Sequence, residues 1–150
     1  VFHPTLPLFY ANNENKTLLN VFFCNKQGEL TLVKKIDLTE KEVGLIDGKP
    51  AGCQDIIISP DAKNLYISLS GLNEIAIVSL DEKGMPALIG QISTEGNFPR
   101  CLQFDPESRY VYAGNMVSGD ITQFRRLENG LLEYTGNKYK AVSPSAMQFY

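Results

Sequence analysis

Short runs of aliphatic, β-branched and aromatic residues recur along the chain, separated by clusters of Pro, Asp, Asn, Ser, Lys and Gly. This pattern predicts strands joined by turns and no long helix. Near the C-terminus the runs are clearest. Cys101–Phe104, Tyr110–Gly114, Ile121–Arg126 and Leu131–Lys140 form four strands, here a to d, of one unit. Asn129-Gly130 signals a tight c–d hairpin, because both residues tolerate φ > 0. Lys83-Gly84 and Gln27-Gly28 occupy the same place in earlier units. Glu40 to Asp47 could form one helical turn, but Gly44 and Gly48 predict a loop.

Counting from Pro4, Pro60 and Pro106 shows that the units repeat. Six residues on are Tyr10, Tyr66 and Tyr112, and fifteen on are Leu19, Ile75 and Ile121. Eighteen on are Phe22, Val78 and Phe124, and twenty-four on are Gly28, Gly84 and Gly130. The prolines are 56 and then 46 residues apart, so the first interval holds ten extra residues, placed in the charged stretch Thr39 to Lys49. Pro144-Ser145-Ala146-Met147-Gln148-Phe149 matches Pro99-Arg100-Cys101-Leu102-Gln103-Phe104 and starts a fourth copy. The units are approximately 1–49, 50–95, 96–142 and the start of a fourth at 143–150.

Four-stranded antiparallel units of about 40–50 residues predict an all-β fold, a β-propeller. Strand a then lines the central channel and strand d the rim. The d–a and b–c loops open on one face, and the a–b and c–d turns on the other. The a–b turns are short and alike, as in Pro60-Asp61-Ala62-Lys63 and Pro106-Glu107-Ser108-Arg109. The d–a and b–c loops vary, so the working face is expected there. About three blades cannot close a ring, which takes 4–8. The chain is therefore expected to be the C-terminal part of a larger, seven-bladed propeller, with Val1 partway along a strand a. Alone, its open blade edges predict self-association.

Composition narrows the functional classes. A net charge of −3 with no Lys/Arg-rich run argues against nucleic acid as a partner. No apolar run reaches membrane-span length and no signal peptide opens the chain, so no membrane association is expected. Cys24, Cys53 and Cys101 are far apart in apolar surroundings, which predicts buried reduced thiols in a cytoplasmic protein. A zinc site would need closely spaced ligand pairs with histidines, and His3 is the one histidine.

Val1-Phe2-His3-Pro4 with Tyr10 to Asn15, Asp55 to Asp61 with Leu65-Tyr66-Ile67-Ser68, and Phe98-Pro99-Arg100 with Phe104-Asp105-Pro106 form a series. With Phe124-Arg125-Arg126 and Gly130-Leu131-Leu132, it resembles the lactonase family of seven-bladed propellers over essentially the whole chain. That family includes 6-phosphogluconolactonases and 3-carboxymuconate cyclases. The resemblance implies hydrolysis of a sugar lactone, with 6-phosphogluconolactone as the resembled substrate and no cofactor or metal required. The alternatives are a carboxymuconate lactonising cyclase and a non-catalytic propeller that binds a ligand or a protein.

The resemblance implies functional side chains at Glu14, Asp55 and Arg100, all on the expected working face. Lactone opening needs a base to activate water and a group to stabilise the oxyanion. A phosphorylated substrate also needs a cation, for which guanidinium is well suited. Glu14 or Asp55 could be the base, and Arg100 the anion clamp. Each has a plainer reading: Glu14 as a turn residue, Asp55 as a cap on backbone amides, Arg100 in an inter-blade ion pair. His3, Tyr10, Tyr66 and Tyr112 read as structural, and Arg125-Arg126 as solvated outer positions. The chain departs from the family pattern at Ile57, where a histidine is common, and at Ser70, where an arginine after asparagine is common. The family's other histidine and arginine candidates lie upstream of Val1, so the chain alone is expected to hold part of a site and to be inactive by itself.

Overall fold

The computed structural model describes residues 1–41, 45–46 and 49–148, with 45–46 and 49–50 described by backbone alone. Among the described residues every named element is a strand, and no helix is long and apolar enough to cross a membrane.

Three antiparallel blade sheets follow one another along the chain, with a small two-stranded sheet between the first and the second. Blade 1 contains β1 (Leu8–Asn12), β2 (Leu18–Cys24) and β3 (Leu30–Asp37). Val1–His3 adds a fourth, inner edge: the Val1 amino group and carbonyl both bond Tyr10, and Phe2 bridges Phe9. The ten-residue insertion carries a small hairpin, β4 (Leu45–Ile46) against β5 (Lys49–Pro50), where a plain loop was expected. Its residues 42–44 and 47–48 lie outside the described residues. Blade 2 is β6 (Gly52–Ile58), β7 (Asn64–Ser70), β8 (Glu74–Leu80) and β9 (Pro86–Ser93). Blade 3 is β10 (Pro99–Phe104), β11 (Tyr110–Asn115), β12 (Asp120–Arg126) and β13 (Leu132–Lys140). Pairing is sequential in each blade, β6-β7-β8-β9 and β10-β11-β12-β13, as in part of a propeller.

The core lies between blades. Leu8, Tyr10, Leu19 and Val21 of blade 1 pack with Leu65, Ile67, Leu69 and Val78 of blade 2. From the other side of blade 2, Tyr66, Ile75 and Ile77 meet Leu102, Val111, Ala113 and Phe124 of blade 3. Strand β7 is therefore buried from end to end. Its side chains alternate between two cores, which is why it reads as a continuous run and not as an amphipathic strand.

The turn glycines join these blades. Gly28, Gly84 and Gly130 all have positive φ, at 83°, 72° and 82°, which a side chain would resist. The fully buried Tyr10 and Tyr66 donate their hydroxyls to the carbonyls of Gly84 and Gly130, each at 2.8 Å. Burial, reinforced by Asp81, pushes the Tyr10 phenol up to about 12, so it remains a donor. A Cβ on Gly130 would lie 2.3 Å from Asn64 Nδ2, whereas one on Gly28 would meet nothing within 4 Å.

Two sequence expectations need correction. Arg126 is not a solvated outer residue: its side chain is only 16% exposed. It donates to Asp61, Asn64 and the Tyr66 hydroxyl across the blade 2–blade 3 junction. The outward strand position holds for Arg125, which pairs with Glu133 at the surface, but strand alternation turns its neighbour to the other side, against the preceding blade. Cys24 is half-buried, while Cys53 and Cys101 are buried; all three are unpaired. Cys24 lies at the end of β2 on the open side of the array.

After β13 the chain runs beside β10 without joining its sheet. The Pro144 carbonyl lies 3.9 Å from Cys101 Sγ and the Met147 carbonyl 3.5 Å from Gln103 Nε2. Phe149, the last residue of the predicted fourth copy's opening, lies outside the described residues.

Candidate functional site

The inner strands β6 and β10 both start irregularly. Pairing of β6 with β7 slips between Cys53 and Ile56, and pairing of β10 with β11 slips between Pro99 and Cys101. Such bulges re-aim side chains and are frequent beside functional sites. Gln54 and Asp55 lie in the first bulge and Arg100 in the second. All three are at strand starts, hence on the loop face.

Loop-to-strand bonds fix this face. The Asn13 carbonyl accepts the Cys53 N–H at 2.9 Å, joining the β1–β2 turn to the start of β6. A Cβ at Gly52 would fall 1.7 Å from the Glu14 carbonyl oxygen, so only glycine admits that turn. One blade further, Asn73 accepts the Thr94 N–H on its carbonyl and the Phe98 N–H on Oδ1. Phe98 is held at φ 58°, a conformation costing a bulky residue about 1–2 kcal/mol. Its carbonyl accepts the Met116 N–H at 2.9 Å. The strained residue thus directs the Pro99-Arg100 step that follows it.

Asp55 and Arg100 come together. With Gln54, Leu102, Ser145 and Met147 they line a concavity of about 300 Å³. Glu14 does not line it. Glu14 is exposed in the neighbouring β1–β2 turn, and its carboxylate has no bonded partner among the described residues. Asp55 is half-buried and committed: Oδ2 accepts the Leu102 N–H of the next blade at 2.8 Å, and Oδ1 the Ile56 N–H at 2.8 Å. It ties two inner strands together. Arg100 is exposed and donates from Nη1 to Gln54 Oε1. Gln54 Nε2 in turn donates to Ser70 Oγ at 2.9 Å, and Ser70 Oγ to the Gly52 carbonyl at 3.1 Å.

The remaining candidates belong to the scaffold. His3 Nδ1 accepts the Thr5 and Leu6 N–H groups on the opposite face, and burial lowers its pKa. Burial, aided by the Asp55 charge, pushes the Cys101 thiol up to about 11; burial does the same for Cys53. Neither is a ready nucleophile. No group of three or more His, Cys, Asp or Glu that could hold a metal occurs among the described residues. The two family departures are filled locally. Ile57 packs against the blade 2–blade 3 core, and Ser70 is buried in the bonds just described.

Gln54 was missed by sequence reasoning, though the repeat contained the signal. Arg100 stands six residues before Pro106, Gln54 six before Pro60, and Ser145 aligns with Arg100 in the incipient fourth copy. The three are equivalent positions on successive inner edges, and all line the same concavity.

Comparison with known proteins agrees with this architecture. The profile of the family described as "Lactonase, 7-bladed beta-propeller" matches residues 1–149. A 6-phosphogluconolactonase of Formosa agariphila is 37% identical over 100 residues, covering 64% of this chain and 28% of that protein. The 6-phosphogluconolactonase of Bacillus subtilis is 29% identical over 96 residues, covering 63% and 28%. A solved structure, the periplasmic gluconolactonase of Pseudomonas aeruginosa, superposes with a TM-score of 0.89 at 22% identity, over 99% of this chain and 40% of that one. The chain thus spans little more than a quarter of the length of these two curated relatives.

Proposed function

The chain belongs to the lactonase family of seven-bladed β-propellers, and on that premise we propose that the full-length protein hydrolyses a sugar lactone, 6-phosphogluconolactone foremost. The observation that carries the reading is the presentation of Arg100 beside Asp55 at the channel end of adjacent inner strands, in a chain whose relatives include 6-phosphogluconolactonases.

In this proposal Arg100 holds the substrate's phosphate. A guanidinium keeps its charge at any working pH and offers five donors. Of the two carboxylates Glu14, exposed and unbonded, is the one free to take a proton from the attacking water, since both Asp55 oxygens accept backbone N–H groups. Asp55 keeps β10 in place through Leu102. Water adds to the lactone carbonyl carbon, the ring C–O bond breaks, and the ring oxygen leaves protonated as the alcohol of the hydroxy acid. The chain's own residues supply part of this site, the rest coming from other blades. The unpaired cysteines suit a reducing compartment, so the cytoplasm is part of the same proposal.

Acid release from 6-phosphogluconolactone by the full-length protein tests the reading. The expected result is a rate well above spontaneous hydrolysis, with weaker turnover of the unphosphorylated lactone. A rate no faster than the spontaneous one overturns it.

A further inference from the structure

We infer that Gln54 is a positioning residue for Arg100, holding the guanidinium through a neutral contact so that its full charge remains available to an anionic group. This rests on reading Arg100 as the anion clamp. The carbonyl of the Gln54 side chain accepts from Arg100 Nη1, so the amide bridges two blades. Its other end is fixed as well: Nε2 donates to Ser70 Oγ, whose own proton goes to the Gly52 carbonyl. Ser70 is 4% exposed and sits on the fully buried β7, so the chain of bonds ends on rigid scaffold. An exposed arginine otherwise loses side-chain entropy each time it binds an anion. The bridge meets that cost in advance.

The identity of the bridging residue matters. A carboxylate at position 54 would hold the guanidinium at least as firmly but would neutralise it. Glutamine gives orientation without charge. The nearby carboxylate, Asp55, has both oxygens on backbone N–H groups and no bond to Arg100 among the described residues. The other guanidinium N–H groups have no bonded partner among the described residues, and the side chain borders the concavity. The repeat explains how this arose: one position, on adjacent inner strands, carries the cation in one blade and its holder in the previous one.

The test uses the full-length protein and two probes, 6-phosphogluconate and gluconate, titrated calorimetrically, with side-chain ¹⁵N NMR of Arg100 as a readout independent of activity. Gln54→Glu should lower 6-phosphogluconate affinity about tenfold while the Arg100 guanidinium stays rotationally hindered. Gln54→Ala should lower affinity and free that rotation together, and Ser70→Ala should do the same more weakly. Gluconate binding should change little in all three. If Arg100→Ala abolishes phosphate-dependent affinity but both Gln54 variants bind like the parent, the inference fails and the clamp survives. If Arg100→Ala itself binds 6-phosphogluconate like the parent, the clamp and the inference fail together.

Discussion

On the turn face, Tyr10 and Tyr66 each reach the carbonyl of the glycine in the next blade's c–d turn, at the same distance. On the loop face, equivalent positions carry different chemistry: Gln54 and Arg100 before the turn proline, and Glu14, Ser70 and Met116 after it. The same strands supply both faces. One face keeps the repeat because each tyrosine hydroxyl and each positive-φ turn must find its partner at every blade junction. The other escapes that constraint because strand starts can bulge and loops can differ without disturbing the core. The recurring cross-blade bonds lie where the repeat is kept, and the proposed chemistry where it breaks.

The comparison predicts that substitutions on the two faces separate. The largest stability loss should follow Gly130→Ala. It combines a positive φ with a Cβ 2.3 Å from Asn64 and should cost about 2–3 kcal/mol, measured by denaturant unfolding. The same change at Gly28 meets open space and should cost only the conformational part, about 1 kcal/mol. Equal losses at the two would show that blade contact contributes nothing at Gly130. On the loop face, Glu14→Ala should slow lactone hydrolysis about tenfold or more, with the unfolding midpoint unchanged. A shifted midpoint with normal turnover would reassign Glu14 to the scaffold.

Smaller effects sharpen the picture at one junction. Tyr66→Phe removes a buried bond to Gly130 and a partner of Arg126, for an expected loss of about 1 kcal/mol. Asp61 gives the smallest effect and a pH signature. Burial opposes its ionisation, but bonds from Ser59, Arg126 and the Lys63 N–H outweigh burial and hold it below the ordinary 3.8. A carboxyl lowered on folding stabilises the native state above its unfolded pKa, and that stabilisation is lost as pH falls through the folded value. Wild type should therefore lose a small increment of stability below about pH 3.8, and Arg126→Met, which keeps the Ser59 and Lys63 bonds, should lose a smaller one; at a site this exposed the increment is under about 1 kcal/mol. Parallel stability profiles for the two proteins from pH 7 to 3 would contradict it.

Much of the fold was legible because the repeat is a physical necessity at each junction. The tyrosines, turn glycines and alternating strands could be counted from the prolines. The inward turn of Arg126 was not legible. Strand alternation places it, but its burial depends on Asp61 and Asn64 of another blade, 65 and 62 residues away. Of the three candidate site residues read from the sequence, Asp55 and Arg100 come together and Glu14 stands apart. Strand starts marked the face, while the grouping of Arg100 with Gln54 rather than Glu14 depends on two bulges, whose register no periodicity reveals. Asp55 shows the same limit: its bond to Leu102 spans 47 residues.

The most direct test is kcat/KM of the full-length protein and of Arg100→Ala on 6-phosphogluconolactone and on the unphosphorylated lactone, each beside an unfolding curve. The account predicts a loss of about a hundredfold on the phosphorylated substrate, a much smaller loss on the other, and an unchanged midpoint. Equal losses on both substrates, or none on either, would contradict it.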